Sequence, residues 1–209
     1  MEIIYGTSNQ NKVISMTKIL KENNVDAKIY TLKDIGFNQE IIEDGKTFEE
    51  NSEIKAKAIK NFCDENNIKD KTIITDDAGL CIEKLNGEPG VYSARYAGEN
   101  ATQVQILQKV LEKMKQYPDK KDRTCTFVCV LTAILPDGEK IVARGECKGT
   151  VANAPGKLGG LTYVPIFIPR GFDKPLSDLD EKTYEATHNH RDLAVKKLIK
   201  EFNNRNLNK

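Results

Sequence analysis

The chain has 209 residues, 32 of them Lys or Arg and 31 Asp or Glu. That length can bury one substantial core in a single domain spanning residues 1–209, and so balanced a charge gives no reason to expect nucleic-acid wrapping. The five cysteines, Cys63, Cys81, Cys125, Cys129 and Cys147, are odd in number and include no C-x-x-C pair, which argues against a disulfide framework and a structural zinc site. An acid follows Met1 where a signal peptide carries positive charge, and no apolar run approaches the ~18 to 20 residues that span a bilayer. A cytoplasmic protein with no membrane partner is expected.

In chain order, Ile3 to Gly6 reads as a strand, followed by a polar turn and a helix carrying Val13, Met16, Ile19 and Leu20 at helical spacing. A second strand is predicted at Ala27 to Thr31. A helix begins near Thr47 with Ile54, Ala58, Ile59 and Phe62 as its apolar stripe, and Lys71 to Thr75 returns to strand. After a stretch containing Gly and Pro, Thr102 to Met114 reads as a helix with Val104, Leu107, Val110, Leu111 and Met114 on one face. Cys125 to Leu135 is a long buried strand, turned at Pro136 to Gly138 into a hairpin partner, Lys140 to Cys147; Asp192 to Phe202 forms the last helix. This mixture predicts an α/β fold with a partly antiparallel sheet.

Four stretches carry chemistry. "GTSNQNK", Gly6 to Lys12, joins a strand end to a helix start, where unpaired backbone N–H groups and the Lys12 charge suit an anion; Asn9 or Asn11 as a plain helix cap is the alternative. "APGKL" imitates a P-loop ending at Gly156 and Lys157, but Val151 stands where the loop needs glycine and Leu158 where it needs Ser or Thr. In "GKTFEEN", Thr47 and Glu50 have capping-box spacing, which by itself accounts for Glu50. "TIITDDAGL" sets Asp76 and Asp77 side by side at a predicted strand end, so their repulsion calls for a counter-charge that a divalent ion such as Mg²⁺ could supply. "THNHR" holds both histidines, His188 and His190, before Arg191; a polar cap is the ordinary reading, and contact with a purine the functional one.

Together these stretches resemble the inosine triphosphate pyrophosphatase family. Thr7, Asn9 and Lys12 meet its T-x-N-x-x-K pattern, "TFEEN" matches its metal-binding helix, and "TDDAGLCIEKLNGEPGVYSARYAG", Thr75 to Gly98, follows its central signature almost without break. The resemblance implies an elongated mixed sheet flanked by helices, with two lobes around a central substrate cleft, and a homodimer. It implies Mg²⁺-dependent hydrolysis of a nucleoside triphosphate between the α and β phosphates, giving monophosphate and pyrophosphate, with deaminated purine nucleotides (ITP, dITP, XTP) as substrates. Thr7, Ser8, Asn9, Lys12, Ala78, Tyr163, His190 and Arg191 would bind substrate, Glu50 and Asp77 would hold Mg²⁺, and Asp76, Asp77 and Lys12 would be catalytic.

The departures cluster near the C-terminus. Anchored on Pro165, "GLTYVPIF" has Leu161 where the family has the aromatic that stacks on the purine, Thr162 for Gly and Val164 for Asp; Glu185 stands where the family has Lys. Losing a stacked ring costs about 1 to 3 kcal/mol by analogy with base–aromatic stacking. These positions leave open a paralogue that binds a nucleotide without turnover, or a pyrophosphatase for another modified nucleotide.

Overall fold

The computed structural model describes residues 1–187 and 189–207. His188 lies outside the described residues, as does the side chain of Glu185. The elements are β1 (Glu2–Tyr5), α1 (Gln10–Glu22), β2 (Lys28–Thr31), α2 (Phe48–Glu65), β3 (Thr72–Ile82), α3 (Gln103–Met114), β4 (Thr124–Ile134), β5 (Lys140–Val151), β6 (Phe167–Pro169), α4 (Glu181–Ala186) and α5 (His190–Asn204). The strands form one mixed sheet in the order β2-β1-β3-β4-β5-β6, parallel where β1 meets β2 and β3 and antiparallel between β5 and β6. This is the predicted α/β class with its partly antiparallel sheet.

The chain packs as two compact units, and β3, β4 and β5 each contribute to both. The first contains Met1–Asp77, Cys129–Gly145 and the segment beginning at Arg191. Its core joins Ile4 and Ile73 of the sheet to Ala56, Ile59 and Cys63 of α2; burying each large aliphatic side chain contributes about 1.5 to 3 kcal/mol. Gly6 ends β1 under a tight steric limit, because a Cβ there would sit 2.4 Å from Ile59 Cδ1 and 2.7 Å from Thr75 Cγ2.

Helix α2 begins as the sequence predicts. Thr47 Oγ1 accepts from Glu50 N, and Glu50 Oε2 accepts from Thr47 N, a complete capping box. Its buried face is rotated from the predicted stripe: Asn51 and Ser52 are buried, while Ile54 and Ala58 are half-buried. The polar pair meets β3, where Thr75 Oγ1 donates to Ser52 O at 2.6 Å and Asn51 Nδ2 to Asp77 Oδ2 at 3.2 Å. Hydrophobic periodicity cannot register a helix face buried through hydrogen bonds.

The second unit contains Ala78–Val128 and Glu146–His190. Its core gathers Leu80, Ile82, Leu107, Val110, Met114, Phe127, Tyr163 and Phe167. Val104, predicted to face inward on α3, is 41% exposed, and Ile106 is buried instead. Among the described residues Arg123, buried beside this core, has no carboxylate partner: its guanidinium donates to the carbonyls of Met114, Tyr117, Val151 and Ala152 at 2.7 to 2.9 Å. The planar fork therefore ties the C-terminal end of α3 to the end of β5.

Candidate active site

Strand β3 runs on to Ile82, so Asp76 and Asp77 lie inside a strand and not at its end as the sequence suggested. What ends beside them is β1, whose last pairing is Tyr5 with Ile74. Consecutive strand residues point to opposite faces, which separates the two carboxylates and gives each its own surroundings.

Asp76 shares a face with Tyr5. It is 1% exposed and receives three donors: the Tyr5 hydroxyl at 2.9 Å, Arg191 Nη1 at 3.0 Å and Lys12 Nζ at 2.8 Å. Arg191 Nη1 also donates to the Tyr5 hydroxyl at 2.9 Å, closing a triangle. Burial alone would raise the Asp76 pKa, but the charges of Arg191, Lys12 and Lys55 outweigh it and hold the carboxyl well below its usual range. Burial raises the Tyr5 pKa well above normal, so its hydroxyl stays protonated and keeps donating.

Asp77 faces α2. Lys55 Nζ lies 3.6 Å from Asp77 Oδ1 and 2.6 Å from Glu43 Oε2, and Asn51 holds Asp77 Oδ2. Asn51 and Lys55 are four residues apart, so one face of α2 presents both. Here burial dominates: together with the neighbouring Glu43 and Asp76 charges it raises the Asp77 pKa despite Lys55 and Asn51. Two adjacent aspartates thus hold opposite protonation tendencies.

The turn after β1 starts α1 with Asn9 as its cap, the Asn9 Oδ1 accepting from Asn11 N at 3.0 Å and Thr7 Oγ1 accepting from Asn9 N at 3.2 Å. Ser8 and Asn9 are exposed there, and Lys12, in the first turn of α1, is half-buried and reaches Asp76. Glu50 is exposed, with Oε2 accepting from Lys46 N as well as Thr47 N. The first unit thus holds Thr7, Ser8, Asn9, Lys12, Glu50, Asp76, Asp77 and Arg191, and it assembles Lys12, Asp76 and Arg191 in direct contact.

In the second unit, Ala78 is half-buried in β3. Tyr163 is 2% exposed, its hydroxyl donating to Ser93 O at 2.7 Å and its ring edge-on to Phe127. His190 is buried and stacks on Phe127, ring centres 3.7 Å apart and planes within 13°.

Sequence reasoning missed Lys55, Glu43 and Tyr5. The spacing N-x-x-x-K of Asn51 and Lys55 carried a signal once α2 was placed against β3. Tyr5 carried none, since an aromatic in an apolar strand reads as core. Among the described residues, no group of three or more His, Cys, Asp or Glu side chains is placed to hold a metal ion. The donor set fits Mg²⁺ all the same, since that ion binds through one or two carboxylates and completes its shell with water and substrate phosphates. Asp77, its charged form disfavoured by burial, would be steadied by a cation.

Residues 3–201 match the Ham1 family. The chain belongs to that family. It is 40% identical over 201 residues to the dITP/XTP pyrophosphatase of Bacillus subtilis, with 95% of this chain and 96% of that protein covered. With the dITP/XTP pyrophosphatase of Bdellovibrio bacteriovorus it shares 37% identity over 202 residues, covering 97% and 98%. The solved structure of the Staphylococcus aureus Ham1 protein superposes with a TM-score of 0.81 at 32% identity, covering 98% of this chain and all of that one (100%). These likenesses bear out the resemblance read from the motifs, and the chain keeps it over nearly its whole length.

Proposed function

We propose that this member of the Ham1 family hydrolyses deaminated purine nucleoside triphosphates, ITP, dITP and XTP, to the monophosphate and pyrophosphate, and so clears them from the nucleotide pool. The observation that carries the reading is the separation of Asp76 and Asp77, the first held by Tyr5, Arg191 and Lys12 and the second facing Asn51 and Lys55. Asp76, kept ionised by Arg191 and Lys12, is a fixed negative anchor that orients the Lys12 ammonium. Asp77, its pKa raised by burial, is suited to accept a proton.

In this reading Thr7, Ser8, Asn9 and the first turn of α1 bind phosphate oxygens through backbone N–H groups and hydroxyls. Lys12 and Lys55 neutralise charge that develops on those oxygens. Asp77 takes a proton from a water whose oxygen bonds to the α-phosphorus, while the α–β bridging bond breaks and its electrons leave with pyrophosphate. Mg²⁺ held by Asp77 and Glu50 would polarise the phosphoryl oxygens and acidify the attacking water. Three cations, Lys12, Lys55 and Arg191, are already matched by Asp76, Asp77 and Glu43; the triphosphate's own charge therefore favours a further cation. Ala78, Tyr163 and His190 complete the proposed substrate contacts, while Arg191, expected from the sequence to bind substrate, holds Asp76 instead.

The same reading takes residues 1–209 as one catalytic domain acting in the cytoplasm as a homodimer on a small molecule, with no nucleic-acid or membrane partner. The nearly balanced charge supports the first exclusion; among the described residues no helix is long and apolar enough to cross a membrane. The test is pyrophosphate release from ITP, dITP, XTP, dUTP and the common triphosphates, with Mg²⁺ and with EDTA. Preference for the deaminated purines and silence in EDTA are expected; turnover equal on all nucleotides, or undiminished in EDTA, overturns the corresponding part.

A further inference from the structure

The second unit carries a cavity that the proposed reaction does not use. It encloses about 340 Å³, and every residue lining it belongs to Ala78–Val128 or Glu146–His190. Small-molecule sites commonly measure about 300 to 1,000 Å³. Strand alternation explains its position, because Cys125, Phe127, Cys147, Val151 and Phe167 turn toward the core of this unit. Thr124, Thr126, Lys148, Thr150 and Ile168 therefore face the other way, and all five line the cavity. Gly149 keeps β5 and β6 close at its floor, since a Cβ there would sit 2.2 Å from Ile168 O.

The charge around the cavity is not matched by the protein. Thr150 pairs with Ile168 and Gly149 with Pro169; one step further along, Arg170 N donates to Lys148 O at 2.9 Å, so two lining cations stand opposite each other. Like charges in that relation destabilise a sheet. Lys120 adds a third lining cation, and among the described residues none of the three side chains has a carboxylate partner. Glu83, the acid among the described lining residues, accepts from Thr124 Oγ1 at 2.7 Å. In a chain with 32 basic and 31 acidic residues, that is a local excess of positive charge. The half-buried Ile168 and Phe172 and the buried Pro169 supply apolar wall beside it. Cys125 also lines the cavity, but burial pushes its thiol pKa up, so it is a poor nucleophile and the cavity suits binding, not covalent chemistry.

We propose that this cavity binds a small organic anion, its carboxylate, sulfonate or phosphate head held between Lys148 and Arg170 and its apolar, ring-sized body resting on Ile168 and Phe172. The Arg170 guanidinium can donate to two oxygens of such a head at once, and Lys148 adds a point charge. No residue of the cavity is among the proposed catalytic, metal or substrate-binding groups, so the site is independent of the nucleotide reading.

The test titrates the full chain with anilinonaphthalene sulfonate, a ring system with one anionic head, and follows its fluorescence in wild type, Lys148→Ala and Arg170→Ala. Lys148 and Arg170 are both exposed, so each variant is expected to melt near the wild-type temperature. Wild type is expected to bind one dye per chain, and either substitution to weaken binding about tenfold, as loss of a charged hydrogen bond does. Two further ligands probe wild type alone. Neutral phenylnaphthylamine, which lacks the head, and inorganic phosphate, which lacks the body, are each expected to displace the dye at least about tenfold less well than unlabelled naphthalene sulfonate. Unchanged affinity in both variants, unsaturable uptake of dye, or either half-ligand competing as well as naphthalene sulfonate overturns the proposal. A wild-type dimer that binds dye only after Arg170→Ala has made it monomeric also overturns it, by assigning this face to a second copy of the chain.

Discussion

Arg191 Nη1 lies 3.0 Å from Asp76 Oδ2, with both side chains closed to solvent at 1% and 0% exposure. In the sequence Arg191 invites assignment as a reader of purine edges; in the structure its guanidinium is committed to a carboxylate and to the Tyr5 hydroxyl. Removing one partner of a buried ion pair leaves the other charge uncompensated, at a cost of about 3 to 5 kcal/mol. Arg191→Ala is expected to lower the melting temperature strongly and to reduce pyrophosphate release on every nucleotide alike. Retained activity with altered base preference would return Arg191 to the base.

Tyr5 gives a milder probe of the same network. Tyr5→Phe deletes one hydroxyl from the closed triangle with Asp76 and Arg191 and leaves the ring in its packed place. Burying the two groups with one bond fewer costs about 1 to 3 kcal/mol in stability, read from chemical denaturation. Because Lys12 and Arg191 still hold Asp76, kcat is expected to fall far less than in Arg191→Ala. A loss as large as that of the arginine variant would show that the hydroxyl itself takes part in turnover.

Asp77 separates function from stability. A carboxyl with a raised folded pKa favours the folded state when protonated, so its stabilising effect is lost as pH rises from the ordinary value of 3.8 through the raised one. Asp77→Asn is therefore expected to melt at or above the wild-type temperature at neutral pH while losing most activity. Asp76 has the opposite sign: its lowered pKa contributes stability that is complete above 3.8 and is lost as pH falls through the lower folded value. Wild-type activity should accordingly fall on the acid side as Asp77 protonates, at a pH where Asp76 remains charged. A less stable Asp77→Asn protein would contradict this assignment.

Much of this was legible in the sequence, and what was missed has physical causes. The strand-turn-helix from Ile3, the capping box at Thr47 and the hairpin at Pro136 to Gly138 are local signals, and each reappears in place. The end of β3 was misread because a pair of acids looks like a strand terminus; tertiary partners, invisible locally, carry the strand through them. The counter-charge demanded by Asp76 and Asp77 was predicted as a metal ion, and the structure also supplies Lys12, Lys55 and Arg191 from three separate helices. Arg191 is 115 positions from Asp76, a separation that no spacing rule spans.

The central claim is the cleavage itself, and product analysis of ITP turnover with Mg²⁺ tests it most directly. The account predicts IMP and pyrophosphate in equal amounts from the wild-type protein, with most of both lost in Asp77→Asn. Formation of IDP and orthophosphate, or no consumption of ITP, would contradict it.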